Sequence, residues 1–201
     1  MINIFKRYGL YGTLRLLFNV FLSKIFVSMK VRIIRFPCYI RGAKYIKWGN
    51  NFTSGVNLRI DADPLNFVTF SPVLEIGNNV QVNDYVHIGA VEKVIIGNNV
   101  LIASKVFISD HNHGNYNGLL QSSPKVEPRK RPLFAKAVVI EDNVWIGEQV
   151  SVLPGVTIGE GSIIGANSVV SKNIPANSIA IGSPAKVIKI FNFFNNQWEK
   201  V

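Results

Sequence analysis

Apolar residues return every six positions along much of this chain. Ile76, Val82 and Ile88 form one series, and Ile96, Ile102 and Ile108 form a second. A third runs unbroken through Ile140, Ile146, Val152, Ile158, Ile164 and Val170. The next position is often Gly or Ala, as at Gly77, Gly89, Gly97, Ala103, Gly147, Gly159 and Gly165. The fifth position of a unit is usually small or β-branched, from Val80 and Val86 to Ser162 and Ser168. Neither the 3.6-residue period of a helix nor the alternation of a plain strand produces a strict six. A repeating coil does. Each unit is then a short strand plus a corner, three units close a triangular turn, and stacked turns share one core.

A longer repeat supports this reading. Ile46-Lys47-Trp48-Gly49-Asn50-Asn51-Phe52 returns as Leu74-Glu75-Ile76-Gly77-Asn78-Asn79-Val80 and as Val94-Ile95-Ile96-Gly97-Asn98-Asn99-Val100. A weaker copy starts at Val138. Asn and Gly suit corners because they tolerate the left-handed backbone that tight turns need. The chain therefore reads as an all-β solenoid.

The N-terminal segment follows a different rule. Leu10, Leu14, Leu17, Phe18, Phe21, Ile25 and Met29 recur at three- and four-residue steps, which predicts a helix over 3–29 with one apolar face. Arg15, Asn19, Ser23 and Lys24 fill much of the remainder. The longest charge-free run, Leu16 to Ser23, falls far short of the ~20 residues that span a bilayer. No small-residue cleavage site follows it, so a secretory signal peptide is not expected. The helix either packs its apolar face on its own protein or lies on a membrane surface.

Charge sharpens that choice. Residues 1–60 hold eleven Lys and Arg and no acid, whereas the other 141 residues hold eleven bases and twelve acids. Such a block suits an anionic partner or a solvated basic face. The partner expected is an anionic membrane, with no nucleic acid. The single cysteine, Cys38, excludes a disulfide framework within the chain and is compatible with a reducing cytoplasm.

The six-residue period breaks once. Ile108 and Ile140 are 32 positions apart, so about 26 residues leave the coil as a loop over 109–139. Long loops on rigid scaffolds commonly carry function. This one opens Ser109-Asp110-His111-Asn112-His113-Gly114 and holds two of the three histidines, the third being His87. Histidine titrates near neutrality and suits a general base. Asp110 either orients an imidazole or is a solvated loop carboxylate.

These residues and the repeat resemble the hexapeptide-repeat acyltransferases, a left-handed parallel β-helix family. Similarity is strongest to the sugar O-acetyltransferases of bacterial lipopolysaccharide O-antigen and capsule assembly, with the galactoside, maltose and xenobiotic acetyltransferases further off. It extends to the RYGLYGTLRLL and VRIIRFPCYIR segments near the start. The resemblance implies acetyl transfer from acetyl-CoA to a sugar hydroxyl, without a metal, in a homotrimer. The acceptor is a sugar or oligosaccharide, free or carrier-linked. Transfer to an amino sugar and a non-catalytic scaffold are the alternatives. The place of work implied is the cytoplasm, or the inner face of its membrane, reached through residues 1–60.

The resemblance also implies site residues. The catalytic histidine of several relatives lies five residues after the last core aliphatic, which selects His113; a looser match of the motif selects His111. Asn83 matches a residue that contacts the accepting sugar, with Asp84 and Tyr85 adjoining, although a corner Asn that satisfies its own turn explains Asn83 equally. On the donor side, Trp145 and Gly147 match residues beside the catalytic centre. Gly165, Ala166, Ser171 and Lys172 match the CoA groove, and Ser183, Lys186 and Lys189 match the closing segment near the CoA phosphates. Glu148 departs from the family's small polar residue. The expected organisation is a basic helical segment at 1–32, a β-helix at 33–187 and a C-terminal tail at 188–201.

Overall fold

The computed structural model describes residues 2–65 and 71–201. Short strands are visited in strict rotation by three parallel sheets. From Ile46–Trp48 the chain steps to Thr53–Ser54 and Arg59–Ala62, each in a different sheet, and then returns to Leu74–Ile76 beside the first. Two further circuits run Gln81–Val82, His87–Ala90, Val94–Ile96 and then Leu101–Ile102, Phe107–Ser109. After an excursion, Val138–Ile140 pairs with Val94–Ile96 and the rotation resumes through Val169–Val170.

Register explains the six-residue period. Ile60, Ile88, Ile108, Val152 and Val170 lie in line across one sheet, and Ile102, Ile146 and Ile164 across another. All are fully buried. Burying a side chain of this size is worth about 1.5–3 kcal/mol, so stacked aliphatics dominate the stability of each coil.

The Gly-Asn-Asn units form the corners between circuits. A Cβ at Gly77 would lie 2.5 Å from the carbonyl oxygen of Gly97, so the close approach of coils requires glycine there. The second Asn of each unit, Asn51, Asn79, Asn99 and Asn143, has φ between 56° and 63°. Their amides form a ladder, each Nδ2 donating to the next Oδ1 at 3.1–3.2 Å. A parallel ladder runs from Asn50 through Asn78 and Asn98 to Asp142. Asn98 donates to Asp142 from both its side chain and its backbone, which holds that carboxyl below its ordinary range.

Residues 111–135 leave the three sheets and fold back as a hairpin, with His111–His113 antiparallel to Leu133–Ala135. The N-terminal helix spans Ile2–Phe26 and is interrupted at Gly9 (φ 65°, ψ −174°). Asn19 and Ser23 are buried against the body and Leu16, Val20 and Leu22 are half-buried, while Leu10, Leu14, Leu17, Phe18, Phe21 and Ile25 are exposed. Packing of the predicted apolar stripe on the chain's own solenoid is therefore corrected: those side chains are exposed, and the buried side of the helix holds the hydrogen-bonded Ser23 with half-buried Leu16 and Val20. The predicted tail also has structure. Lys186–Asn192 and Gln197–Lys200 extend one sheet as antiparallel strands.

Candidate active site

Side chains alternate across a strand, so Ile88 and Ile108 point inward while their neighbours His87, Gly89, Phe107 and Ser109 face out. The hairpin leans over that outer surface and closes a cleft of about 480 Å³. His87, His111 and His113 all line it, with Arg59, Asp61 and Ser109 among the other walls.

The two hairpin histidines differ in their support. Asp110 is fully buried, and its Oδ2 accepts backbone N–H bonds from Val91, Glu92 and Lys93 at 2.8–3.0 Å. Its other oxygen lies 2.9 Å from His111 Nδ1. A carboxylate accepts, so this contact suits the tautomer with its hydrogen on Nδ1 and the Nε2 lone pair turned to the cleft. The solvated alternative for Asp110 is excluded by this burial. His113 is exposed, and its ring has no hydrogen-bond partner among the described residues; its carbonyl oxygen accepts from the Tyr116 hydroxyl.

A second charged group forms the opposite wall. Asp61 Oδ2 accepts from Arg59 Nε at 2.7 Å and contacts His87 Nε2 at 3.1 Å. Oδ1 is buried, has no hydrogen bond among the described residues and faces Arg41 Nε at 3.5 Å. Burial opposes the charge on Asp61, but the bonds from Arg59 and His87 and the charges of Arg59 and Arg41 outweigh it. The carboxyl is thereby held below its ordinary range.

Asn83, Asp84 and Tyr85 do not line the cleft. They make a corner in which Tyr85 has φ 60° and Asp84 Oδ1 accepts the Val56 N–H at 2.7 Å. On the donor side, Trp145 is half exposed and stands in register between Leu101 and Ile163. Gly147 and Gly165 sit where a Cβ would meet the adjoining strand, at 2.6 Å from Ala166 N and from Ile181 Cγ2 respectively. Ala166, Ser171, Lys172, Ser183 and Lys186 are exposed and Lys189 half-buried, none of them in the histidine cleft.

Comparison with known proteins decides the family. The chain is 51% identical to WbbJ of Escherichia coli K12, named as a lipopolysaccharide biosynthesis O-acetyl transferase, over all 201 residues and 99% of that protein. This chain is a hexapeptide-repeat acetyltransferase. Residues 137–172 match the family described as bacterial transferase hexapeptide (six repeats). A maltose O-acetyltransferase from Clostridium difficile 630 superposes with a TM-score of 0.60 at 32% identity, covering 74% of this chain and 72% of that one. A galactoside acetyltransferase in complex with coenzyme A superposes at 0.51 and 29% identity, over 82% of this chain and 66% of that one.

Arg59 and Asp61 of this acetyltransferase were not singled out by sequence. Register was the missing signal: Arg59 and Asp61 align with His87 and Gly89 across neighbouring strands. Asp61 also makes stability depend on pH. A depressed native carboxyl stabilises above its unfolded pKa, about 4, and that contribution is lost as pH falls through the lower native value. The stability gap between wild type and Asp61→Asn is therefore expected to be constant from about pH 5 to 8 and to shrink below pH 4. Urea midpoints measured across that range check it; a gap that widens on acidification contradicts the assignment.

Proposed function

We propose that this acetyltransferase moves the acetyl group of acetyl-CoA onto a hydroxyl of a sugar acceptor in the building of a bacterial surface polysaccharide. The observation that carries the reading is the His111–Asp110 pair in the cleft. His111 Nε2 takes the proton of the acceptor hydroxyl as its oxygen attacks the thioester carbon. The tetrahedral intermediate collapses to the acetyl ester, the C–S bond breaks, and the departing CoA sulfur recovers the proton from His111. Ordering of the base by a buried carboxylate supports His111 over His113, which stands at the open rim.

The architecture proposed with it is a left-handed β-helix whose extruded loop is confined to 111–135, preceded by the helix Ile2–Phe26 and closed by the strands Lys186–Asn192 and Gln197–Lys200. A homotrimer is proposed with it, in which Asn83, Asp84 and Tyr85, outside the chain's own cleft, serve the acceptor bound at a neighbouring copy. The donor groove is assigned to Trp145, Gly147, Gly165, Ala166, Ser171, Lys172, Ser183, Lys186 and Lys189. The place of work is the cytoplasm, at the inner face of its membrane, on a free or carrier-linked sugar acceptor.

The test is acceptor-dependent release of free thiol from acetyl-CoA, with the product treated with hydroxylamine, which removes an ester-linked acetyl and leaves an amide. Thiol release without a hydroxylamine-sensitive product overturns O-transfer. Trp145→Ala and Lys186→Ala are each expected to raise KM for acetyl-CoA about tenfold, the equivalent of about 1.4 kcal/mol of lost contact, and to leave the acceptor KM within about twofold. A shift confined to the acceptor KM contradicts the donor-groove assignment.

A further inference from the structure

The N-terminal helix turns Asn19 and Ser23 inward, with Leu16 and Val20 half-buried beside them. Asn19 and Ser23 are 5% and 0% exposed. The Ser23 hydroxyl donates to the Asn19 carbonyl at 2.6 Å and accepts the Ile34 N–H at 2.7 Å. On the other side Leu10, Leu14, Leu17, Phe18, Phe21 and Ile25 are each 57–62% exposed. At 3.6 residues per turn these six fall within about 100° of arc, opposite Ser23. An apolar stripe of this kind on a water-soluble surface marks an interaction site.

Two cations border the stripe, one at each margin. Arg15 is tethered to the Phe36 carbonyl at 3.3 Å, and Lys24 to the Met29 carbonyl at 2.6 Å. Lys6 and Arg7 precede the break at Gly9, and the helix holds no acid. Apolar residues on one face with cations at its edges are what the boundary of an anionic bilayer accepts: hydrocarbon takes the stripe, and lipid phosphates meet the flanks. Among the described residues, no helix is long and apolar enough to cross a membrane.

We infer that this outward face lies flat on an anionic lipid surface and carries the body of the enzyme against it. The inference deepens the membrane placement proposed above by naming the surface that makes contact, and it rests on that reading only for the side of the membrane. A second copy is the poorer occupant. The helix brings Lys6, Arg7, Arg15 and Lys24 and no acid, so pairing two such faces sets like charges against each other. The break at Gly9, which has open space around it, lets the first turns follow the surface independently of the rest.

The experiment is flotation of the full chain with vesicles of phosphatidylcholine alone and of phosphatidylcholine mixed with phosphatidylglycerol. Wild type is expected to float with the mixed vesicles at low salt, at least about tenfold more than with neutral ones, and less so in high salt. Phe18→Glu/Phe21→Glu changes only outward side chains, so it is expected to abolish flotation while helix content and thiol release on a soluble acceptor stay at wild-type values. Arg15→Gln/Lys24→Gln is expected to weaken flotation and its salt dependence together. Equal flotation with both vesicle types, or none with either, overturns the inference. So does a wild type that never floats but loses its oligomeric state, by sedimentation velocity, in the Phe18→Glu/Phe21→Glu variant; the face then belongs to a second copy. Flotation with no thiol release overturns the catalytic proposal alone.

Discussion

His111→Ala is expected to lower kcat by about 10²- to 10⁴-fold, the range that a positioned general base supplies, with the KM for acetyl-CoA nearly unchanged. A sugar hydroxyl is a poor nucleophile while it keeps its proton, and the cleft offers His111 a ring whose Nδ1 is already committed to Asp110. Asp110→Asn tests that commitment. The amide retains the shape but cannot accept in the same way, so an intermediate loss of about 10- to 100-fold is expected, with a changed pH profile. His113→Ala, at the exposed rim, is expected to cost less than about tenfold. Turnover assays at saturating acetyl-CoA separate these outcomes. Normal turnover in His111→Ala together with its loss in His113→Ala moves the base to His113.

The second large effect lies directly beneath the site. Ile88 is fully buried between Ile60 and Ile108, in register with both, while His87 and Gly89 on the same strand face the cleft. Ile88→Ala is expected to cost about 2–5 kcal/mol, because rigid strands above and below limit collapse into the cavity. Ile88→Val is expected to cost only about 0.5–1.5 kcal/mol. Urea denaturation of the two variants gives the comparison. Equal losses would mean that the coil relaxes around the deleted atoms, contrary to a core held by register.

How much of this was legible depended on whether the cause was local. The coil was readable because each six-residue unit carries its own instructions: an inward aliphatic such as Ile102, a tight position such as Gly97 and a corner Asn such as Asn99. The environment of Asp110 was not. Its three backbone donors lie at Val91, Glu92 and Lys93, some twenty residues earlier, and meet it only once the coils stack. Spacing from Ile108 therefore pointed to His113, whereas the buried carboxylate belongs to His111. The wall formed by Arg59 and Asp61 was hidden by unequal circuits, 28 residues from Ile60 to Ile88 but 20 from Ile88 to Ile108. The inward face of the helix was hidden for another reason. Periodicity identifies an apolar stripe, but the bonds of Ser23 to Asn19 and Ile34 decide which side meets the body.

The corner amide ladders have a direction. In the row from Asn50 to Asp142, every side-chain NH2 points towards the later coil and every oxygen towards the earlier one. Such a row needs a terminus that receives and gives nothing, and a charged carboxylate at Asp142 is that terminus. The companion row ends on an acid as well, with Asn143 donating to Glu160. Length is thus written into the corners as a one-way sequence with a full stop. A circuit bearing its own Gly-Asn-Asn could be spliced in ahead of Asp142 and continue both rows, whereas the same circuit placed after it would set its first amide oxygen against a carboxylate.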